Sequence, residues 1–320
     1  MKIKLRAYIE LTGAMVIVGS NIVVGKMITA GFPVFIASAL RFALASSILL
    51  ILLLKNAKGF PHIARRDVLV MFLQSLTGNF LYSVFLLYGL KLTSAAESGI
   101  ISGTMPAIVG LISFLFLRER LVWSKWLGIG LVVIGMIVMN GTGQLAGGDH
   151  GTGNLLGNLL IVGSVVGEAL WTTLSKTTAG RVPPLASACL TSCFGFVLFL
   201  PIALYQSISF NFASVSLANW GAVVYYGLIG TVAAYLLWYQ GVAKVSAGTA
   251  GVFTGIAPVS AVVLSYIVLG EPFAWSHVLG GLCVLLAIVL IARTSSETDG
   301  VGKNSKDLRD LLLVAKSWRR

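Results

Sequence analysis

Three carboxylates, Glu10, Glu97 and Glu168, stand inside long apolar stretches of this chain. On insertion scales an ionisable group costs about 2.5 to 3.5 kcal/mol at the centre of a bilayer, so it persists where a partner, water or a task offsets that cost. Glu168 lies deepest, within Gly167-Glu168-Ala169-Leu170-Trp171, and is the first candidate to face a cavity, with Trp171 of the same stretch as a second lining residue. A carboxylate in that setting can exchange a proton or pair with a cationic amine; the competing reading is a group satisfied by a neighbouring helix. Glu97, a few residues into its apolar run, is the other coupling candidate, against a reading as a solvated helix start. Glu10 follows Arg6 by four residues and is expected to pair with it on one helix turn. Arg41 and Lys26 could attract an anionic group, but snorkelling of both towards the headgroups is the preferred account.

Uncharged polar residues are also patterned. Ser75, Gly78, Asn79 and Tyr82 are spaced to share one helical face, and Thr231, Tyr235 and Trp238 share another. Two such faces would line a cavity suited to an amphipathic ligand, although small and hydroxylated side chains also serve helix packing. The cysteines Cys189, Cys193 and Cys283 have neither metal-ligand nor disulfide spacing, and the expectation is no metal and no cofactor.

The elements that must hold these groups are membrane helices. Of 320 residues, 57% are hydrophobic and 11% charged, against about 25% charged in a soluble domain, so no water-soluble surface can be assembled. The apolar residues fall into ten blocks near the length needed to span hydrocarbon: 7–28, 33–54, 67–90, 94–117, 122–140, 153–175, 183–205, 217–241, 246–269 and 275–292. Unbroken runs such as 47–54 and 282–292 exclude the alternation of a transmembrane β-barrel. The basic lead Lys2, Lys4 and Arg6 resembles a signal peptide, but no small-residue cleavage pattern follows, so the first block is expected to remain.

The net charge of +12 is not a nucleic-acid signature, because Lys and Arg occupy connectors and the tail. With both termini cytoplasmic, only Lys26, Arg41 and Lys91 fall off the cytoplasmic side, a strong positive-inside bias that requires an even number of crossings. The expected location is the plasma (inner) membrane. The tail at 294–320 carries Leu308, Leu311, Leu312 and Ala315 among basic residues and reads as an interfacial helix or a flexible end.

An internal repeat divides the chain. Adding 152 to a position in the third to fifth blocks often lands on the same residue: Gly78 on Gly230, Gly89 on Gly241, Ser94 on Ser246, Gly103 on Gly255, Pro106 on Pro258, Glu119 on Glu271 and Trp123 on Trp275. Each half, 1–145 and 146–293, is then a five-helix unit. Because five is odd, the second enters the membrane from the opposite face, giving an all-α protein of two inverted five-helix repeats whose packings can interchange around a midplane site. Pro106 and Pro258 occupy equivalent mid-span positions and are candidate hinges.

These residues resemble the drug/metabolite transporter superfamily, and within it the ten-helix EamA-type exporters. The likeness runs from about 7 to 292. It rests on Gly19-Ser20-Asn21 with Lys26, on Pro33 through Arg41-Phe42, on Thr93-Ser94-Ala95 leading to Met105-Pro106, and on the Glu signatures Arg118-Glu119-Arg120-Leu121 and Leu269-Gly270-Glu271-Pro272. It implies secondary transport, with efflux of amino acids, related metabolites or amphipathic drugs, and adds Asn21 to the candidate pathway. Val18 departs from the family's usual tryptophan, which implies a pocket of different shape.

The implied partners are a small-molecule substrate and the lipid bilayer, with protons as coupling ion and a homodimer left open, and no nucleic acid. An enzyme is disfavoured: His62, His150 and His277 lie in connectors or at span ends, no Asp falls inside a span beyond Asp67 at the very start of the third, and no convergent acid, base or nucleophile set is visible. A channel would need filter sequences or rings that are not seen. An exchanger of sugar nucleotides or phosphorylated metabolites would call for clustered cavity cations, and only Arg41 and Lys26 are available.

Overall fold

In hydrocarbon an apolar run has no water to satisfy its peptide groups, so it must close its own hydrogen bonds as a helix. The computed structural model describes residues 2–55, 63–105, 152–244 and 253–271 and isolated positions within 108–134 and 275–286. Their regular structure is helical, apart from one isolated bridge between Ala179 and Val182. In chain order the helices are α1 (Lys2–Gly31), α2 (Val34–Leu54), α3 (Arg65–Leu92), α4 (Ala95–Ser102), α5 (Thr152–Thr178), α6 (Pro184–Ser207), α7 (Leu217–Val242) and α8 (Ile256–Val268).

Six of them, all but α4 and α8, are long and apolar enough to cross a membrane, and the chain is a multi-pass membrane protein. Large apolar side chains including Leu54, Val197, Leu204 and Ile267 point outward, as a lipid-facing surface requires. The spans expected at 33–54, 67–90, 153–175, 183–205 and 217–241 nearly coincide with α2, α3, α5, α6 and α7. Most of the fifth and tenth spans, the later part of the fourth, Pro106, the signature at 118–121 and the tail lie outside the described residues.

Helix boundaries follow local chemistry. Pro33 and Pro183 precede α2 and α6 with φ of −59° and −58°, already set for helix entry. Ser94 Oγ accepts from the Glu97 amide (3.0 Å) and Ser216 Oγ from the Asn219 amide (3.3 Å), satisfying first-turn donors of α4 and α7. α8 begins after a break at Gly255, so Pro258 falls in its first turn, where a missing N–H costs no ladder bond. The discontinuity expected at that proline therefore sits one turn upstream. Beyond α8, Gly270 adopts φ +61°, a left-handed conformation that turns the chain and brings Glu271 to the start of α4. There its carboxylate accepts from the amides of Ala95 (2.8 Å) and Ala96 (2.9 Å).

Both α3 and α7 contain a π-helical segment, Leu76–Leu81 and Leu228–Ala233. Their first residues differ by 228 − 76 = 152, the repeat interval, so the duplication extends to a backbone irregularity.

Two helix ends carry polar clusters. Lys26 Nζ donates to the carbonyls of Leu90 (2.5 Å) and Thr93 (2.6 Å), terminal acceptors of α3 that lack intrahelical partners. Lys26 is thus bound to protein and not to headgroups, and α1 and α3 run parallel. At the other end Glu10, 5% exposed, takes the expected pair with Arg6 (3.0 Å) and a second with Lys244 (2.6 Å), just past α7. That contact sets α7 antiparallel to α1. Asp67, in the first turn of α3, pairs with Arg181 after α5 (2.8 Å).

Candidate functional site

A cavity of about 50 Å³ lies in the bundle interior, room for a few water molecules in this conformation. α1 contributes Met15, Val18 and Asn21, α2 contributes Arg41, and α3 contributes Gly78 and Tyr82. From the later helices come Glu168, Trp171 and Thr172 on α5, then Gly230, Ala234, Tyr235 and Trp238 on α7, with Thr254 just before α8. Helices from before and after the midpoint of the chain therefore share one wall.

Each π segment presents a glycine to a side chain from the opposite half. A Cβ on Gly78 would lie 2.2 Å from Trp171 Cβ, and one on Gly230 would lie 2.1 Å from Asn21 Oδ1. Asn21 Nδ2 donates to Gly230 O (2.9 Å), which fixes the amide and leaves Oδ1 without a partner. Its neighbour Ser20 reaches Tyr225 Oη (2.8 Å), so two consecutive residues of the Gly-Ser-Asn motif grip α7.

Of the residues expected on the pathway, Asn21, Tyr82, Glu168, Trp171, Tyr235 and Trp238 are brought together around the cavity. Trp171 forms an aromatic corner with Tyr235 (centroids 5.5 Å), Trp238 (5.8 Å) and Tyr239 (5.6 Å). Its Nε1 has no hydrogen-bond partner, whereas Trp238 Nε1 donates to Ser175 Oγ (3.3 Å).

Asn79 and Thr231 stand behind this layer. Asn79 is fully buried; it donates to Thr191 O (2.8 Å) and Ser75 Oγ (3.0 Å) and accepts from Tyr235 Oη (2.5 Å), so it braces Tyr235 from the rear. Thr231 Oγ1 accepts from Arg41 Nε (2.8 Å) and donates to Tyr226 O (2.9 Å), five residues back as π geometry allows. For Asn79 the backbone explains the displacement, since the wider π turn rotates it further from Tyr82, three residues on; Thr231 is drawn aside by its bond to Arg41.

Arg41 is the residue whose placement the sequence reading missed. It is 3% exposed and lines the cavity, with its guanidinium carbon 4.1 Å from the Tyr226 ring centre and 4.4 Å from that of Phe42. Its position eight residues into an apolar run was the available signal, and a snorkelling path was equally compatible with it. Neither Arg41 nor Glu168 enters an ion pair among the described residues, although both line the same cavity.

Glu97 lies outside the cavity. Its carboxylate accepts from Thr93 Oγ1, which is also 2.7 Å from Asn158 Oδ1, at the bundle end held by Lys26 and Glu271. Among the described residues no group of three or more His, Cys, Asp or Glu is placed to hold a metal, and the three cysteines are free thiols.

The chain matches the EamA-like transporter family twice, over residues 5–141 and 155–293. It is 44% identical over 301 residues to the uncharacterized transporter YetK of Bacillus subtilis, covering 93% of this chain and 90% of that one. It is 26% identical over 228 residues to a probable terminal-alkyne amino-acid exporter of Streptantibioticus cattleyicolor, covering 71% and 74%. A protein of known crystal structure shares the fold with a TM-score of 0.58 at 21% identity, covering 87% of this chain and 97% of the other. A cavity walled by membrane helices of both halves, a family match that occurs twice, and a relative alike over nearly its whole length together establish that the chain belongs to the EamA-like transporter family.

Proposed function

We propose that this transporter is a secondary active exporter of amino acids or related small amphipathic metabolites, working by alternating access in the plasma membrane. The carrying observation is the cavity itself, walled by helices from both halves and holding an unpaired carboxylate at Glu168. The name of the Streptantibioticus relative supports an amino-acid cargo.

In this reading ten helices form two inverted repeats, 1–145 and 146–293, followed by a cytoplasmic basic tail at 294–320. Support comes from the double family match, the π segments 152 residues apart, and the opposite directions of the helices that carry them. Both termini face the cytoplasm, as the distribution of Lys and Arg favours. The two halves exchange conformations around the cavity, with Pro106 and Pro258 as hinges, the latter beside the backbone break at Gly255. Glu168 is the coupling group, because Glu97 is engaged by Thr93 away from the cavity.

Purified wild type and Glu168→Gln in proteoliposomes, offered a labelled amino-acid mixture with and without a pH gradient, test this. Gradient-driven uptake by wild type alone is expected. Equal gradient dependence in both removes Glu168 from coupling, and absence of protein-dependent uptake removes the amino-acid reading. For the inverted arrangement, cysteines at positions 58 and 148 should label from opposite sides; labelling from one side overturns it.

A further inference from the structure

We infer that Arg41 and Glu168 are the two poles of a zwitterion-selective site: Arg41 receives the substrate's carboxylate, Glu168 its ammonium, and compounds bearing one of those charges are rejected. This rests on the transport reading above and deepens it.

Two opposite charges line one cavity yet form no ion pair. If the pair existed only to stabilise the bundle, direct contact would offset the desolvation of both groups; held apart, each lacks its counter-ion. A bound zwitterion supplies both at once, and a singly charged solute leaves one pole buried and unmatched, which disfavours it.

Arg41 is preorganised for its half of the task. Thr231 Oγ1 accepts from Nε, the Tyr226 and Phe42 rings flank the guanidinium, and Nη1 is left without an acceptor. Guanidinium donors match a carboxylate in geometry as well as charge. At the other pole, Glu168 in its ionised form and the unpartnered Asn21 Oδ1 lie on cavity-lining residues and accept, as an ammonium requires. Trp171, Tyr235 and Trp238 supply apolar wall for whatever the substrate carries besides its charges.

The test uses the full chain in nanodiscs, with binding read by tryptophan fluorescence, since Trp171 and Trp238 line the cavity. Each of the twenty proteinogenic amino acids is titrated at neutral pH. The best-bound one is then compared with its amide, which keeps only the cation, and with its deaminated acid, which keeps only the anion. In wild type the amino acid should bind at least about 10-fold more tightly than either analogue, the minimum for one charge-assisted hydrogen bond. Glu168→Gln should abolish discrimination against the deaminated acid, and Arg41→Gln discrimination against the amide, with Arg41→Lys retaining part of it.

Loosened folding weakens all three ligands alike, so the affinity ratios separate recognition from structure. Ratios near one in wild type, or unchanged in the variants, overturn the inference. So does failure of all twenty amino acids to bind, even if vesicles carry another solute, in which case the transport reading stands. Selective zwitterion binding without any protein-dependent transport would uphold the site and sink the carrier.

Discussion

Replacing Thr231 with valine keeps shape and volume while removing one hydroxyl, so no cavity contributes to the result. Thr231 is fully buried, and its Oγ1 is both the acceptor for Arg41 Nε (2.8 Å) and a donor to Tyr226 O (2.9 Å). The bond to the carbonyl lies within α7 and is neutral, contributing about 0.5 kcal/mol, the low end of the range for such bonds. Stranding a buried guanidinium nitrogen costs more, about 1.5 to 3 kcal/mol for a bond to a charged group. The sum is about 2 to 3.5 kcal/mol, dominated by Arg41. At roughly 2 °C per kcal/mol this lowers the apparent Tm by about 4 to 7 °C. Thermal unfolding of the detergent-solubilised protein measures it, with Thr231→Ser as the control that restores the hydroxyl. A valine variant that melts with wild type, or serine and valine variants displaced equally, would refute the claim that this hydroxyl holds Arg41 in place.

Three further outcomes follow from the same geometry. Lys244→Met should lower Tm clearly more than Arg6→Met, because Lys244 is 29% exposed and Arg6 73%, and exposed pairs contribute about 0 to 1 kcal/mol; equal shifts would contradict this. Glu271→Ala should quicken hydrogen exchange at the Ala95 and Ala96 amides, which would lose their acceptors, as read by mass spectrometry; unchanged exchange would deny the cap. Val18 lines the cavity, so Val18→Trp should shift binding towards smaller amino acids in the fluorescence titration, and an unaltered size ranking would exclude that wall from the site.

Much of the architecture was readable from residue order alone because the solvent leaves few options. An apolar run of about 20 residues in lipid must be a helix, so α2, α3, α6 and α7 fall close to where hydrophobicity places them. The 152-residue repeat was equally visible, since equivalent backbone positions keep equivalent glycines and prolines. It reappears in the structure as paired π segments. The local pairing of Glu10 with Arg6 needed only helical spacing, while its second partner, Lys244, is 234 positions away and no local rule could propose it.

Which polar groups meet the cavity was decided by tertiary packing. Spacing can assign residues to a face of a helix, yet it cannot name the helix opposite or anticipate that the backbone unwinds. A 3.6-residue period aligns Asn79 and Thr231 with Tyr82 and Tyr235, yet in the structure both stand behind the cavity wall, where they brace Tyr235 and Arg41. Arg41 itself could have extended to the membrane surface. Whether it does so depends on a threonine 190 positions away and on the rings of Phe42 and Tyr226, and those contacts exist only once the two halves have packed together.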